Sequence, residues 1–151
     1  MSLVPFVGVI GLGIATVLQL VQHGDTGFLR ATLLNCITYL VGVTGIMTGC
    51  GHLFFPDPIA DSIGWTRGSP FQWEVGLADL SYGVLGVTAS SYGRGFWLAT
   101  IIAFSVFMLG AAAGHVRQMV QERNFSPGNA GVTFVYDIAA PVLLIALYLA
   151  Y

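Results

Sequence analysis

"LRATLLNCITYLVGVTGIMTGCGHLFFPDPIADSIGW" occupies Leu29 to Trp65 and joins a long apolar run to a proline-rich connection. The run from Leu29 to Phe55 is almost wholly apolar. It stops at Pro56, a residue that cannot continue a helix because it lacks the backbone N–H. A membrane-spanning helix needs about 20 predominantly apolar residues, and this run exceeds that. Yet it carries His52 one turn before its own stop. An ionisable group at that depth is costly and calls for a partner.

The rest of the chain repeats the apolar character. Of 151 residues, 56% are hydrophobic and 8% charged, with mean hydropathy +0.81 and no lysine. Soluble domains carry about 25% charged residues, so no water-soluble surface can be built from this composition. The net charge of −2 offers no basic face to nucleic acid. Cys36 and Cys50 share one apolar run at a spacing that fits neither a zinc site nor a disulfide framework, and they read as packing residues. No basic n-region or small-residue cleavage site stands out at the start, so residues 3–22 read as a retained span rather than a signal peptide.

Five stretches reach spanning length: Leu3 to Gln22, about Leu29 to Phe55, Pro70 to Ser90, Arg94 to Val120, and Gly131 to Tyr151. Gly24 is the stop expected for the first. The third is the least hydrophobic because Glu74 and Asp79 interrupt it. Connections 23–28, 56–69, 91–93 and 121–130 leave no room for a soluble domain. The expectation is one all-α domain over residues 1–151, a five-helix membrane bundle. Within the longest connection, Asp57 as cap, Pro58 in the first turn and Gly64 at the end predict a short helix, with Trp65 at headgroup level. Ser69 to Gln72 looks like a capping box for the third span. Gly45 with Gly49, and Gly110 with Gly114, allow close approach of helices, within the chain or between copies. Arg67, Arg117 and Arg123 on one side against Arg30 and Arg94 on the other favour an inside N-terminus.

Adjacent spans run antiparallel, which gathers the titratable residues. His52 ends the second span, Glu74 and Asp79 begin the third, His115 and Arg117 end the fourth, and Asp137 begins the fifth. All lie in one half of the bilayer. At a rise of about 1.5 Å per residue, Asp79 lies about 13 Å from Pro70, near the midplane. The other side offers His23, Asp25, Arg30 and Arg94, all near loops. These six residues therefore predict a one-sided ligand or proton pocket. Plainer readings stand beside it. Glu74 and Asp79 lie roughly 140° apart on a helix and need not share a face. Ion pairs with Arg117 and His52 would then be structural. His115 and Arg117 also fit a solvated helix end, Asp137 fits a partner for backbone loosened by Pro141, and Tyr82 and Tyr136 fit either donors or packing.

His52 to Pro56 (His-x-Phe-Phe-Pro), Ser69 to Gly76 (Ser-Pro-Phe-Gln-x-Glu-x-Gly), Gly83 to Gly86 and the stretch Gly114 to Gly131 resemble an uncharacterised domain-of-unknown-function family of small prokaryotic integral membrane proteins. More distantly, the layout looks like DoxX-type four-helix membrane proteins. That resemblance implies a four-helix core in spans two to five, an added N-terminal helix and a cytoplasmic-membrane location. It also implies a link to quinone-coupled thiol oxidation, for which the chain lacks a cysteine pair at a membrane edge.

Three functions follow as expectations. The leading one is a metal or redox site, with His52, Glu74, His115 and Asp137 as ligands for iron, copper, manganese or zinc. Haem b between His52 and His115 is a variant. The second is a proton-linked binding or transport protein for a small solute, with Arg117 as an anion anchor. The third is a structural accessory subunit. The expected partners are the lipid bilayer and either further copies of the chain or a larger membrane complex.

Overall fold

The computed structural model describes residues 4–23 and 27–151. Gly24 and Asp25 lie outside the described residues. The described residues form α1 (Val4–His23), α2 (Phe28–Cys36), a π-helical stretch (Ile37–Val43), α3 (Thr44–Phe54), α4 (Pro56–Ile63), α5 (Phe71–Thr88), α6 (Arg94–Gln121), α7 (Pro127–Ala130) and α8 (Val132–Ala150). α2, the π stretch and α3 run on as one rod. Four segments are long and apolar enough to cross a membrane: Pro5–Gln22, Phe28–Phe54, Arg94–Gln121 and Pro127–Ala150. α5, the third of the five spans expected from sequence, is not among them. Gln72, Glu74 and Asp79 dilute its apolar content.

α5 nonetheless lies against the second span along most of its length, and glycine makes this contact. A Cβ on Gly45 would stand 2.9 Å from the Asp79 carbonyl oxygen and 3.0 Å from Gly83 Cα. One on Gly49 would stand 2.8 Å from the Gly76 carbonyl, and one on Gly83 2.7 Å from the Ile46 nitrogen. Backbone meets backbone, with no room for a side chain between. Gly110 and Gly114 behave differently, since a Cβ on either meets nothing within 4 Å.

The π stretch is held by side chains. Thr44 donates its hydroxyl to the Tyr39 carbonyl at 3.1 Å, and Tyr136 of α8 donates its hydroxyl to the Leu40 carbonyl. The chain here takes a wider turn whose carbonyls are met from outside the helix.

The two ends of the bundle are filled unequally. At the end of Leu33, Ile37, Ala89, Trp97, Ile101 and Leu144, large apolar side chains close the core. Trp97 Nε1 donates to the Ala89 carbonyl at 2.8 Å. Arg30 covers the Trp97 ring at 5.4 Å and Arg94 the Tyr148 ring at 5.0 Å, so these two cations rest on aromatic faces. At the opposite end α4 and α7 lie across the bundle. α4 begins with Pro56 after Phe55 as its cap, two residues ahead of the expected start with Asp57 as cap and Pro58 in the first turn, because Pro56 itself supplies the preset first turn. It ends as expected at Gly64, at φ 80°, with Asn124 Nδ2 donating to the Ile63 carbonyl at 2.8 Å. The capping box does not form. Ser69 Oγ accepts from the Phe71 N–H at 3.3 Å, but the Gln72 side chain turns away to α3 and α4.

Two outcomes follow from this packing. Gly45→Leu forces α3 off α5 and lowers the thermal midpoint in detergent, by about 1–3 kcal/mol or more of stability. Gly13→Leu, at an open position on α1, leaves the midpoint in place. In the connection after α4, Arg67 donates Nε to Asp61 Oδ1 at 2.7 Å and Nη2 to Oδ2, which holds the Asp61 carboxyl below the usual carboxylate range. The stabilisation is therefore present above the ordinary carboxylate pKa and is lost as pH falls through the lowered value. An NMR titration of Asp61 should return to the ordinary value in Arg67→Ala.

Candidate functional site: a histidine–carboxylate cavity

Away from the packed end, α5 and α6 separate and leave a cavity of about 880 Å³. Its walls follow helical spacing. α6 offers Phe107, Gly110, Ala111 and Gly114, α5 offers Phe71, Val75 and Asp79, and α3 offers Gly45, Thr48 and His52. α8 adds Thr133, Tyr136 and Asp137, while Ile59 and Ser62 of α4 close the end. Glycine and alanine on α6 are the local cause of the void, because bulkier residues there would fill it.

Five of the six residues singled out from sequence line this one space: His52, Asp79, His115, Arg117 and Asp137. Glu74 does not. It is exposed on α5, as the roughly 140° offset from Asp79 allows. Arg117 is exposed at the rim, where Nε donates to Gln121 Oε1 at 2.9 Å. The expected metal set of His52, Glu74, His115 and Asp137 is not assembled. Among the described residues no group of three or more His, Cys, Asp or Glu side chains converges as a metal would require. Cys36 is buried in the packed core and Cys50 is half-buried, and neither forms a disulfide.

His115 is fixed on three sides. Its Nδ1 meets Asn129 Oδ1 at 2.7 Å. The Asn129 amide nitrogen donates to the carbonyls of Asn124 at 2.8 Å and His115 at 3.3 Å, so its oxygen must be the acceptor and Nδ1 must carry a hydrogen. Phe134 stands edge-on to the imidazole at 6.5 Å between centroids. The remaining nitrogen, Nε2, faces Asp137 Oδ2 at 3.3 Å. Two lone pairs would repel there, so one proton lies between them, on either atom. In both forms the pair is neutral overall, which suits its burial.

His52 is held by the same device. Its Nδ1 donates to Gln72 Oε1, while Gln72 Nε2 donates to the Pro56 carbonyl at 3.3 Å. That arrangement leaves Nε2 of His52 as the basic nitrogen. Asp79, only 4% exposed, accepts the Tyr82 hydroxyl on Oδ1 at 2.8 Å. Tyr82 packs on Phe104 and Phe107 at 5.7 and 5.3 Å. Asp137 stands four residues before Pro141, and it is turned to His115 rather than spent on the helix backbone.

Gln72, Asn129 and Asn124 escaped the sequence reading as site residues. Gln72 read as part of a capping box, and Asn129 fell within the connection 121–130. The available signal was a primary amide in an apolar chain at the same depth as a histidine, since such a group must find a partner.

No curated protein and no solved structure matches the chain. One family model does, over residues 1–151, and the chain accordingly belongs to DUF6790, a family of unknown function.

Proposed function

We propose that this protein is a membrane-embedded, proton-linked binding or transport protein for a small solute. The observation that carries this reading is the His115–Asp137 pair, which holds one proton at the wall of a cavity that Asp79 and His52 also line. A ligand pocket of several hundred Å³ with few polar groups on apolar walls is the usual form of a small-molecule site. Intramembrane carboxylates and histidines that face such a space are the usual parts of a proton relay. The geometry favours this reading over a metal centre because the ligand-type side chains sit in separate hydrogen-bonded units. His115 is committed to Asn129 and Asp137, and His52 to Gln72. The setting of the proposal is the cytoplasmic membrane of a prokaryote, with α2/α3, α5, α6 and α8 as a DoxX-like core and α1 added outside.

Nitrogen NMR of the reconstituted protein, with labelled histidine, tests the shared proton. His115 Nε2 should pass between its protonated and bare forms as the pH is varied. In Asp137→Asn the asparagine amide donates to Nε2 and fixes the neutral, Nδ1-protonated ring across the range. A wild-type His115 that shows one unchanging form throughout would remove the relay. Solute panels added in weak buffer should displace or take up protons with the wild type and not with Asp137→Asn.

A further inference from the structure

The cavity opens sideways. Val106 lines it and is 71% exposed, and Gly110 and Gly114 line it and are exposed on the outer face of α6. These residues belong to the apolar stretch Arg94–Gln121, one of the four long enough to cross a membrane. Phe71 of α5 also lines the cavity and is 51% exposed, so the mouth lies between α5 and α6, where lipid tails rather than water would stand.

The floor is short of positive charge. From α3 comes His52, whose Nδ1–H is given to Gln72. From α6 comes His115, and from α8 Asp137, which together form a neutral pair, with Tyr136 engaged on the Leu40 carbonyl. α5 brings Asp79, whose partner is the Tyr82 hydroxyl rather than a base. The charged groups at the rim are Arg117, hydrogen-bonded to Gln121, and Glu122. Asp79 is therefore the one carboxyl at depth without a basic partner among the described residues. The same cavity is lined by the aromatic residues Phe71, Phe104, Phe107 and Tyr136, and aromatic faces attract cations.

We infer that the ligand of this cavity is a lipophilic organic cation, which enters from the lipid phase between α5 and α6 and places its charge at Asp79. The inference rests on the proposed proton-linked pocket and names what the pocket takes. Protonation of Asp79 and occupancy by the cation exclude one another, so acid releases the ligand.

The test uses the full chain in phosphatidylcholine nanodiscs, with tetraphenylphosphonium as probe and tetraphenylborate as its anionic counterpart of like shape. Saturable, one-to-one binding of the phosphonium that weakens on acidification, without comparable borate binding, is the expected result. Asp79→Asn keeps the Tyr82 hydrogen bond and should lower affinity roughly tenfold or more at an unchanged thermal midpoint. Gly114→Leu, which has room for its side chain, should plug the cavity and abolish binding, and Glu74→Gln, exposed on α5 outside the cavity, should leave it intact. Equal binding of the two ions, or binding of neither, overturns the cation assignment. So does a change of oligomeric size in Gly114→Leu, which would give the groove to a second copy of the chain. The histidine NMR titration reports on the shared proton independently, so a failed cation site and a failed proton relay are told apart.

Discussion

The backbone contact between the second span and α5 is the constraint on which the rest depends. Gly42, Gly45 and Gly49 on one side, and Gly76, Gly83 and Gly86 on the other, bring two antiparallel helices together without intervening side chains. In a bilayer there is little hydrophobic force between helices, and association rests on van der Waals packing and hydrogen bonds. Glycine maximises the first by letting the backbones touch. α5 is too polar to hold its place by apolar content, so this contact is what places Asp79, Gln72 and Tyr82 inside the bundle. The cavity lies beside this contact, lined by α3, α5, α6 and α8.

The polar groups at that cavity follow one rule, in which each ring or carboxyl is positioned by a group that has a second anchor. Gln72 orients His52 and is tied to the Pro56 carbonyl. Asn129 orients His115 and is tied to two carbonyls. Tyr82 orients Asp79 and is wedged between Phe104 and Phe107. Buried polar groups are costly when unpaired and rigid when fully paired. The anchors therefore do two things: they remove the desolvation penalty, and they fix which nitrogen of each histidine remains available for chemistry.

Much of this arrangement was legible in the sequence. Antiparallel spans place His52, Asp79, His115 and Asp137 at one end whatever the packing details, so their convergence on one cavity follows from connectivity and helix rise. Rotation about each helix axis is not written as plainly. Glu74 and Asp79 lie on one helix, and only packing decides that Asp79 turns inward and Glu74 outward. The glycine pairs illustrate the same limit. Gly45 with Gly49 and Gly110 with Gly114 share a spacing, yet the first pair closes a helix contact and the second opens a void. The difference lies in what faces them, which no local pattern encodes. The amide partners were hidden for a related reason, because Gln72 and His52 are brought together by the glycine contact and not by any short-range motif.

The π-helical stretch Ile37–Val43 carries a consequence for how the second span is oriented. Each residue of an α-helix turns the chain by about 100°, so a one-residue surplus at this point sets the azimuth of everything beyond it. His52 and the glycines of α3 lie on the far side of that joint. Tyr136, beside Asp137 on α8, is the bolt that holds the joint through the Leu40 carbonyl. Tyr136 also lines the cavity, so one hydrogen bond ties the cavity wall to the turn that sets the azimuth of His52.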